Sequence, residues 1–518
     1  METSNTHSLK KRYFYKLVSN IFGLGINIVT AGITPRGLGP KNYGDFNFLS
    51  SVFLQIKGFL DMGVSVGFYN KISQRQNEQG LIAFYFHFLT IASCLIFLFI
   101  MVLHGTGLYT LVFPDQKLIF IYMSAILIIL TWFGQGFDQM TDAFGLTIYS
   151  ERARMLQKAL GAGLLIVLFL YQILTLRNYF YYQYFNQIVL TGMFIWVINT
   201  NKGLIKKQWK LTLSQIKTYF FEFYHYSFPI FVEASIGTVA VFFDRWLLQI
   251  FGGSIQQGFY SFSYNIGALC FLFTGAMTPL LSREYAIAHA NNDIKKMALL
   301  FRRFVPVFYS LAAFFSCFVI IQSEKIVYIL GGNAYKTANL AVKIMAIYPI
   351  FQVYGQLSTS VLLAAGKTKL YRNIGIFSSI AGLLLTFFFL APTKYFGLNA
   401  GANGLAVKMV LIVFVVVNVF LFYISKFLGI SFWKYLAHQA VSFGSLLVAS
   451  FSVSILVDSI LKLNGNVIVN FIISGSIYTS IVLLIAYKYP VLFGLKNEDI
   501  NYAVNFIRKK VSELKPHE

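Results

Sequence analysis

The sequence predicts an all-α, polytopic membrane protein of about fourteen transmembrane helices, arranged as two pseudo-symmetric six-helix lobes plus two C-terminal helices. Three observations predict it. Of 518 residues, 57% are hydrophobic and only 12% charged, with a mean hydropathy of +0.66, whereas soluble domains are about one quarter charged. Apolar runs long enough to cross a hydrocarbon core of about 30 Å recur along the whole chain. Two short glycine-containing patterns also recur six spans apart.

The spans fall near 13–34, 44–70, 81–104, 118–140, 157–175, 179–199, 218–250, 257–281, 304–322, 338–365, 373–391, 401–425, 437–457 and 466–487. The loops between them share the basic residues unevenly. Lys202, Lys206, Lys207, Lys210 and Lys217 sit in one loop, and Arg283, Lys295, Lys296, Arg302 and Arg303 in another, while 251–256 between them holds none. The positive-inside rule then predicts cytoplasmic N- and C-termini in the cell inner (plasma) membrane. The net charge of +23 is therefore topogenic; a nucleic-acid partner would need those charges gathered on one soluble face. Lys10, Lys11 and Arg12 lead into a stretch of spanning length without an A-x-A-like site, so the start reads as a first span and not a cleavable signal. In the tail, Ile500, Val504, Ile507 and Val511 recur at helical spacing beside Arg508, Lys509 and Lys510. This describes either an amphipathic helix on the inner leaflet or a solvated tail with one apolar face.

The repeat rests on two pairs of segments. Gly39-Pro-Lys-Asn-Tyr-Gly44 opens the second span and Gly253-Ser-Ile-Gln-Gln-Gly258 the eighth, about 214 residues apart. Ala143-Phe-Gly145 closes the fourth span and Ala364-Ala-Gly366 the tenth, about 221 apart. An even number of spans between repeats gives parallel lobes related by an axis along the membrane normal, able to rock about a central cleft. The expected organisation is 1–205 as N-lobe with helices 1–6, 206–430 as C-lobe with helices 7–12, and 431–518 as helices 13–14 with a cytoplasmic tail. The basic stretch 201–217 serves as linker.

Charged side chains at mid-bilayer cost about 2.5–3.5 kcal/mol on insertion scales, so each requires a reason. Lys57 and Asp61 lie four apart in the second span, where they either pair with each other or face the cleft, Lys57 toward an anionic substrate and Asp61 as modulator. Asp244 and Arg245 occupy the outer part of span seven, with Glu233 about three turns earlier on nearly the same face as Asp244. Lys343 and Lys408 stand in the first part of spans ten and twelve, either reaching to the interface or lining the cleft. His87 and His225 read as packing or hydrogen-bonding residues in preference to proton relays.

The chemistry of an enzyme is missing. There is no Walker A loop, no HExxH or other metal-ligand spacing, and Cys94, Cys270 and Cys317 have no CxxC arrangement. No cofactor, metal or catalytic residue is expected.

Several short segments together resemble the polysaccharide transporter branch of the multidrug/oligosaccharidyl-lipid/polysaccharide (MOP) exporter superfamily, the O-antigen and capsule repeat-unit flippases. They are Pro35-Arg36-Gly-Leu-Gly39-Pro-Lys-Asn-Tyr-Gly44, Leu60-Asp61-Met-Gly63, Pro229, Asp244-Arg245 with Gly252-Gly253 and Gly258-Phe-Tyr260, Leu330-Gly331-Gly332, Ala365-Gly366-Lys367-Thr368, and Gly397 to Gly404. The resemblance implies a flippase for undecaprenyl-pyrophosphate-linked oligosaccharide. Arg36, Lys57 and Arg245 are the candidate head-group residues, joined by Lys343 and Lys408. Asp61, Glu233 and Asp244 are candidate modulators or ion-coupling groups, with Na+ or H+ as the coupling ion. Arg36 and Arg245 match the family pattern by position, whereas Lys57 rests on the energetic argument alone. Membrane lipids are implied partners, as are a polysaccharide polymerase and chain-length proteins. The alternatives are a cation-coupled multidrug exporter or another lipid-linked precursor (lipid II-like) exporter of the superfamily, or a non-transporting assembly protein.

Overall fold

A chain that must satisfy every backbone polar group inside lipid has two solutions, helices or a closed barrel, and this chain takes the first. The computed structural model describes residues 9–505 apart from Asn77, 204–209, 461–465, Asp499 and 502–504. Lys206 and Lys207 of the basic loop, and Val504, Ile507 and Val511 of the tail, lie outside the described residues. Every regular element among those described is helical.

The chain divides into two compact units, 1–258 and 259–518. The first holds α1 (Leu9–Asp61), α2 (Val64–Gln74), α3 (Gln79–Gly105), α4 (Tyr109–Val112), α5 (Leu118–Ala143), α6 (Thr147–Leu170), α7 (Leu176–Lys202) and most of α8 (Leu213–Ala268). The second holds the end of α8, then α9 (Leu272–Ala290), α10 (Ile294–Ile321), α11 (Ser323–Gly331), α12 (Asn339–Met345), α13 (Tyr348–Ala364), α14 (Thr368–Leu390), α15 (Gly401–Leu428), α16 (Phe432–Ile455) and α17 (Val467–Lys488).

The expected spans fall mainly on helix, with those at 44–70, 257–281 and 338–365 interrupted by turns. Ten described helices are long and apolar enough to cross a membrane by composition and length alone. The long α1 accommodates two expected spans, and those within α7, α8 and α9 carry more polar and aromatic side chains. Outward-facing residues are apolar: Phe377, Leu384 and Leu484 are 74%, 70% and 67% exposed, which suits contact with lipid chains and not with water. One boundary moves. The fifth span, expected from residue 157, starts as helix at Thr147, because the charges in its first turns are matched. Arg154 bonds Asp138 of α5 and lies 3.3 Å from Glu151.

Glycine governs where the two longest helical stretches bend. Gly39 breaks α1 with φ 69° and ψ 167°, and Gly253 breaks α8 with φ 71° and ψ −176°. That region is open essentially to glycine alone and costs another residue about 1–3 kcal/mol. The same pair of positions opens the two segments matched in the sequence. Gly145 and Gly366, which close α5 and α13, likewise share positive φ, 75° and 67°.

Within the first unit the two broken stretches cross at the second glycine of each segment. A Cβ on Gly44 would collide with the carbonyl oxygen of Ser254, and a Cβ on Gly258 with that of Pro40. Since Ser254 follows Gly253 as Pro40 follows Gly39, the contact is reciprocal. Beyond this crossing α1 runs antiparallel along α8: Gly58 faces Thr238, and Phe59 packs edge-on against Phe231 at 5.4 Å. The core beside them is aromatic, with Phe48, Phe53, Phe68, Tyr85, Trp132 and Phe180 fully buried. In the second unit α10 is central. Tyr309 of α10 donates to the Gln439 carbonyl at 3.1 Å, and Tyr478 of α17 donates to that of Phe314 at 3.0 Å. Lys325 also reaches Asp458 at 2.8 Å and Asn470 at 2.7 Å, tying the turn after α16, and α17, to α11.

The crossing makes a testable demand. Gly44→Ala and Gly258→Ala each force a methyl onto a backbone carbonyl, so each is expected to lose about 1–3 kcal/mol and lower the apparent Tm of detergent-purified protein. Gly25→Ala, where nothing lies within 4 Å of the added carbon, is expected to leave Tm unchanged or raise it.

Candidate functional site

The span expected at 44–70 is not one helix. It stops at Asp61, turns through Met62 and Gly63 with φ of 48° and 79°, and restarts as α2. The carboxylate of Asp61 folds over that restart. It accepts from the Ser65 hydroxyl and from the Ser65 backbone N–H at 3.4 Å, where the partial positive charge of a helix start favours an anion. Trp132 of α5, fully buried, donates its indole N–H to the same carboxylate at 3.2 Å. Tyr85 of α3 stacks flat on Phe68 with centroids 3.9 Å apart, and its hydroxyl lies 3.0 Å from that of Ser65.

Lys57 stands one turn earlier on the same face of α1. Its ammonium donates to Gln135 Oε1 of α5 and lies 5.7 Å from the Trp132 ring centroid. No ion pair within 4 Å links it to Asp61, so the i, i+4 pairing, one of the two readings of the sequence, is not made. Each charge bonds a neutral partner, and Trp132 lies between them. A cation held by an amide oxygen is satisfied without being neutralised, and it can exchange that oxygen for one of a phosphate. Sequence reasoning missed Trp132, Gln135, Ser65 and Tyr85; the readable signal was Asp61-Met-Gly63, an acid and a glycine inside an apolar run.

The other expected site residues are dispersed. Arg36 is exposed, just before the bend at Gly39. Asp244 is buried at 7% exposure. Arg245 donates to Gln257 Oε1 at 3.2 Å, and the Gln257 amide donates back to the Arg245 carbonyl. Lys343 lies 3.8 Å from Glu324 in an exposed pair, a contact of the kind that contributes about 0–1 kcal/mol. Lys408 is buried between α14 and α15, where Gly382 leaves room for its side chain. The side chain of Glu233 lies outside the described residues. The ring nitrogens of His87 and His225 bond backbone carbonyls of their own helices, as packing residues do.

Two polar clusters close the seam between α1–α2 and α8 at its ends. At one, Asp45 accepts from Ser254 and from Gln116 at 2.7 Å, while Gln249 donates to the Pro114 carbonyl at 3.2 Å and to Ser254 at 3.1 Å. At the other, Glu222 Oε1 takes Lys71 at 2.7 Å and also Arg75, which lies 3.1 Å from Glu78. Tyr219 donates to Glu78 at 2.7 Å. Between the ends, next to the Lys57 face, an apolar cavity of about 430 Å3 is bounded by Ile56, Phe59, Leu95, Phe99, Val239 and Phe242.

A multi-pass helical bundle with broken helices, internally matched glycine bends and charges inside its spans is an architecture that many secondary transporters share. Solved structures agree on the fold. The lipid II flippase MurJ in an inward closed conformation is similar with a TM-score of 0.64 and 13% identity, over 91% of this chain and 98% of that one. An inward-facing multidrug resistance MATE family transporter of the MOP superfamily gives 0.58 and 14%, over 78% and 95%. A MOP superfamily transporter from Pyrococcus furiosus gives 0.52 and 13%, over 82% and 97%. Comparison with curated proteins finds no match. The fold is therefore that of the MOP-superfamily transporters. The polysaccharide biosynthesis protein family matches residues 9–284, more than half of the chain, and the chain belongs to that family.

The Asp61 cluster predicts a graded response. Asp61→Ala leaves the Trp132 N–H and the Ser65 hydroxyl without their acceptor, and is expected to cost about 1–3 kcal/mol. Asp61→Asn keeps one acceptor oxygen and is expected to cost less. Apparent Tm of the two purified variants checks the order.

Proposed function

We propose that the protein is a flippase. It moves an undecaprenyl-pyrophosphate-linked oligosaccharide repeat unit from the cytoplasmic to the periplasmic leaflet of the inner membrane by alternating access, for O-antigen or capsule synthesis. The observation that carries this reading is the break at Met62-Gly63 inside a span, with Lys57 held by a neutral amide beside it. Transporters of this general build place substrate groups at interrupted helices near the midplane. A pyrophosphate oxygen displaces Gln135 from the Lys57 ammonium, while Asp61, bound over the start of α2, holds the local charge low enough for the anion to leave again. The polyprenyl tail stays in lipid throughout. The lobes that rock are 1–205 and 206–430, and both termini are cytoplasmic. In that orientation Lys71, Arg75 and Glu222 form the cytoplasmic end of the seam, and their ion cluster must open when the inner side does. Arg36 and Arg245 act nearer the periplasmic end, and Na+ or H+ supplies coupling.

A second reading, a lipid II-like precursor as cargo, is favoured by the likeness to MurJ over 91% of the chain. One experiment separates them. In cells with the chromosomal copy replaced, Lys57→Met is expected to cut surface polysaccharide at least tenfold and leave lipid-linked repeat units on the cytoplasmic side, at unchanged protein level. Lys57→Arg is expected to retain most of the transport. Accumulation of peptidoglycan precursor instead would move the assignment to the second reading, and full activity in Lys57→Met would remove the site.

The seam predicts a locked state. A Lys71→Cys/Glu222→Cys pair, made with the three native cysteines replaced, is expected to cross-link. The cross-linked protein is expected to stop transport, and reductant to restore it.

A further inference from the structure

Away from Lys57, α1, α6 and α7 of the first unit enclose a cavity of about 170 Å3. Its lining is unusual for the interior of a membrane bundle: Asn27, Thr30, Gln157, Lys158, Tyr182 and Gln183 all contribute. Lys158 lies near the midpoint of α6, at the start of the span expected at 157–175. Its ammonium lies against α1 where Gly23 has no side chain, since a Cβ there would collide with Lys158 Nζ. Gln157 is turned to Asn186 of α7, its amide donating at 3.0 Å. No hydrogen bond, and no ion pair within 4 Å, joins Lys158 to another described residue. Glu151, whose charge reaches Lys158, is engaged by Arg154.

A half-buried ammonium without an acceptor is costly inside a membrane, and a lining of amides and hydroxyls does not neutralise it. The volume equals that of roughly six waters in the liquid, enough for one sugar ring. We infer that this cavity binds an anionic sugar unit, with Lys158 receiving a carboxylate or phosphate and the surrounding amides and hydroxyls taking ring hydroxyls. The inference rests on the oligosaccharide cargo proposed above and specifies it, because a repeat unit bearing an acidic sugar would be held at two cations, Lys57 and Lys158. A neutral oligosaccharide would engage only the first.

The test uses the purified full-length chain in nanodiscs with three probes, glucuronate, glucose and inorganic phosphate, followed by saturation-transfer NMR and thermal shift. Glucuronate is expected to bind at least tenfold more tightly than glucose, and this preference is expected to vanish in Lys158→Gln. Gly23→Ala keeps the charge but pushes the ammonium from its seat, and is expected to weaken glucuronate binding while the protein elutes as wild type. Equal binding of glucose and glucuronate, or unchanged glucuronate binding in Lys158→Gln, overturns the inference. Binding of phosphate alone overturns its sugar part. Lys57→Met is expected to leave glucuronate binding intact, so failure of the flippase reading and failure of this site are told apart.

Discussion

Two backbone carbonyls lying where two side chains would otherwise stand set the geometry of the first unit. Pro40 O against Gly258 and Ser254 O against Gly44 bring the helical stretches α1 and α8 closer than any residue with a Cβ allows. In lipid, where burial of apolar area drives little association, such close backbone approach is what holds helices together. The bends at Gly39 and Gly253 aim the stretches at that crossing. The antiparallel run from Gly58–Thr238 down to Lys71–Glu222 then follows from helix length alone. Placement of Lys57 and Asp61 depends on it, because both lie on the stretch that begins at the crossing.

Much of this was legible in the chain. The spans were readable because bilayer thickness sets a minimum apolar length that composition cannot disguise, and the paired glycines because no other residue takes the backbone angles their bends require. The break at Met62-Gly63 was hidden because apolar residues continue through it, so a hydropathy window passes over the turn. Its marks were local, an acid followed two residues later by glycine. The early start of α6 was hidden for the opposite reason. Glu151, Arg152 and Arg154 read as loop, whereas in the fold Arg154 pairs with Asp138 on α5 and with Glu151, and Arg152 bonds the Tyr15 hydroxyl.

Site chemistry was less readable. Spacing shows that Lys57 and Asp61 share a face, but it is silent on Gln135 and Trp132, which arrive from more than seventy residues away and take both charges for themselves. The same limit applies to Lys408, whose seat depends on Gly382 of the neighbouring helix, and to Lys158, whose cavity has walls from three helices. In each case the sequence identifies a charge that needs a reason, and only packing supplies the neighbours that decide which reason applies.

Neutral partners matter for a carrier more than for a scaffold. An ion pair locked in a low-dielectric interior is broken only at a cost of several kcal/mol, and a substrate that had to break it would be bound weakly. A cation bonded to an amide oxygen loses little when a phosphate oxygen takes the amide's place, since one acceptor replaces another and a full negative charge arrives. Lys57 with Gln135 has that arrangement, and Asp61, tied to Ser65, Trp132 and the start of α2, is kept from collapsing onto the lysine. The ion cluster of Lys71, Arg75 and Glu222 has the opposite character. It resists opening until something else repays the lost pairing, which suits the end of a seam and not a binding site. A bundle that places exchangeable charge beside a break within a span and resistant charge at the end of the seam has the arrangement that the proposed anion carrier needs.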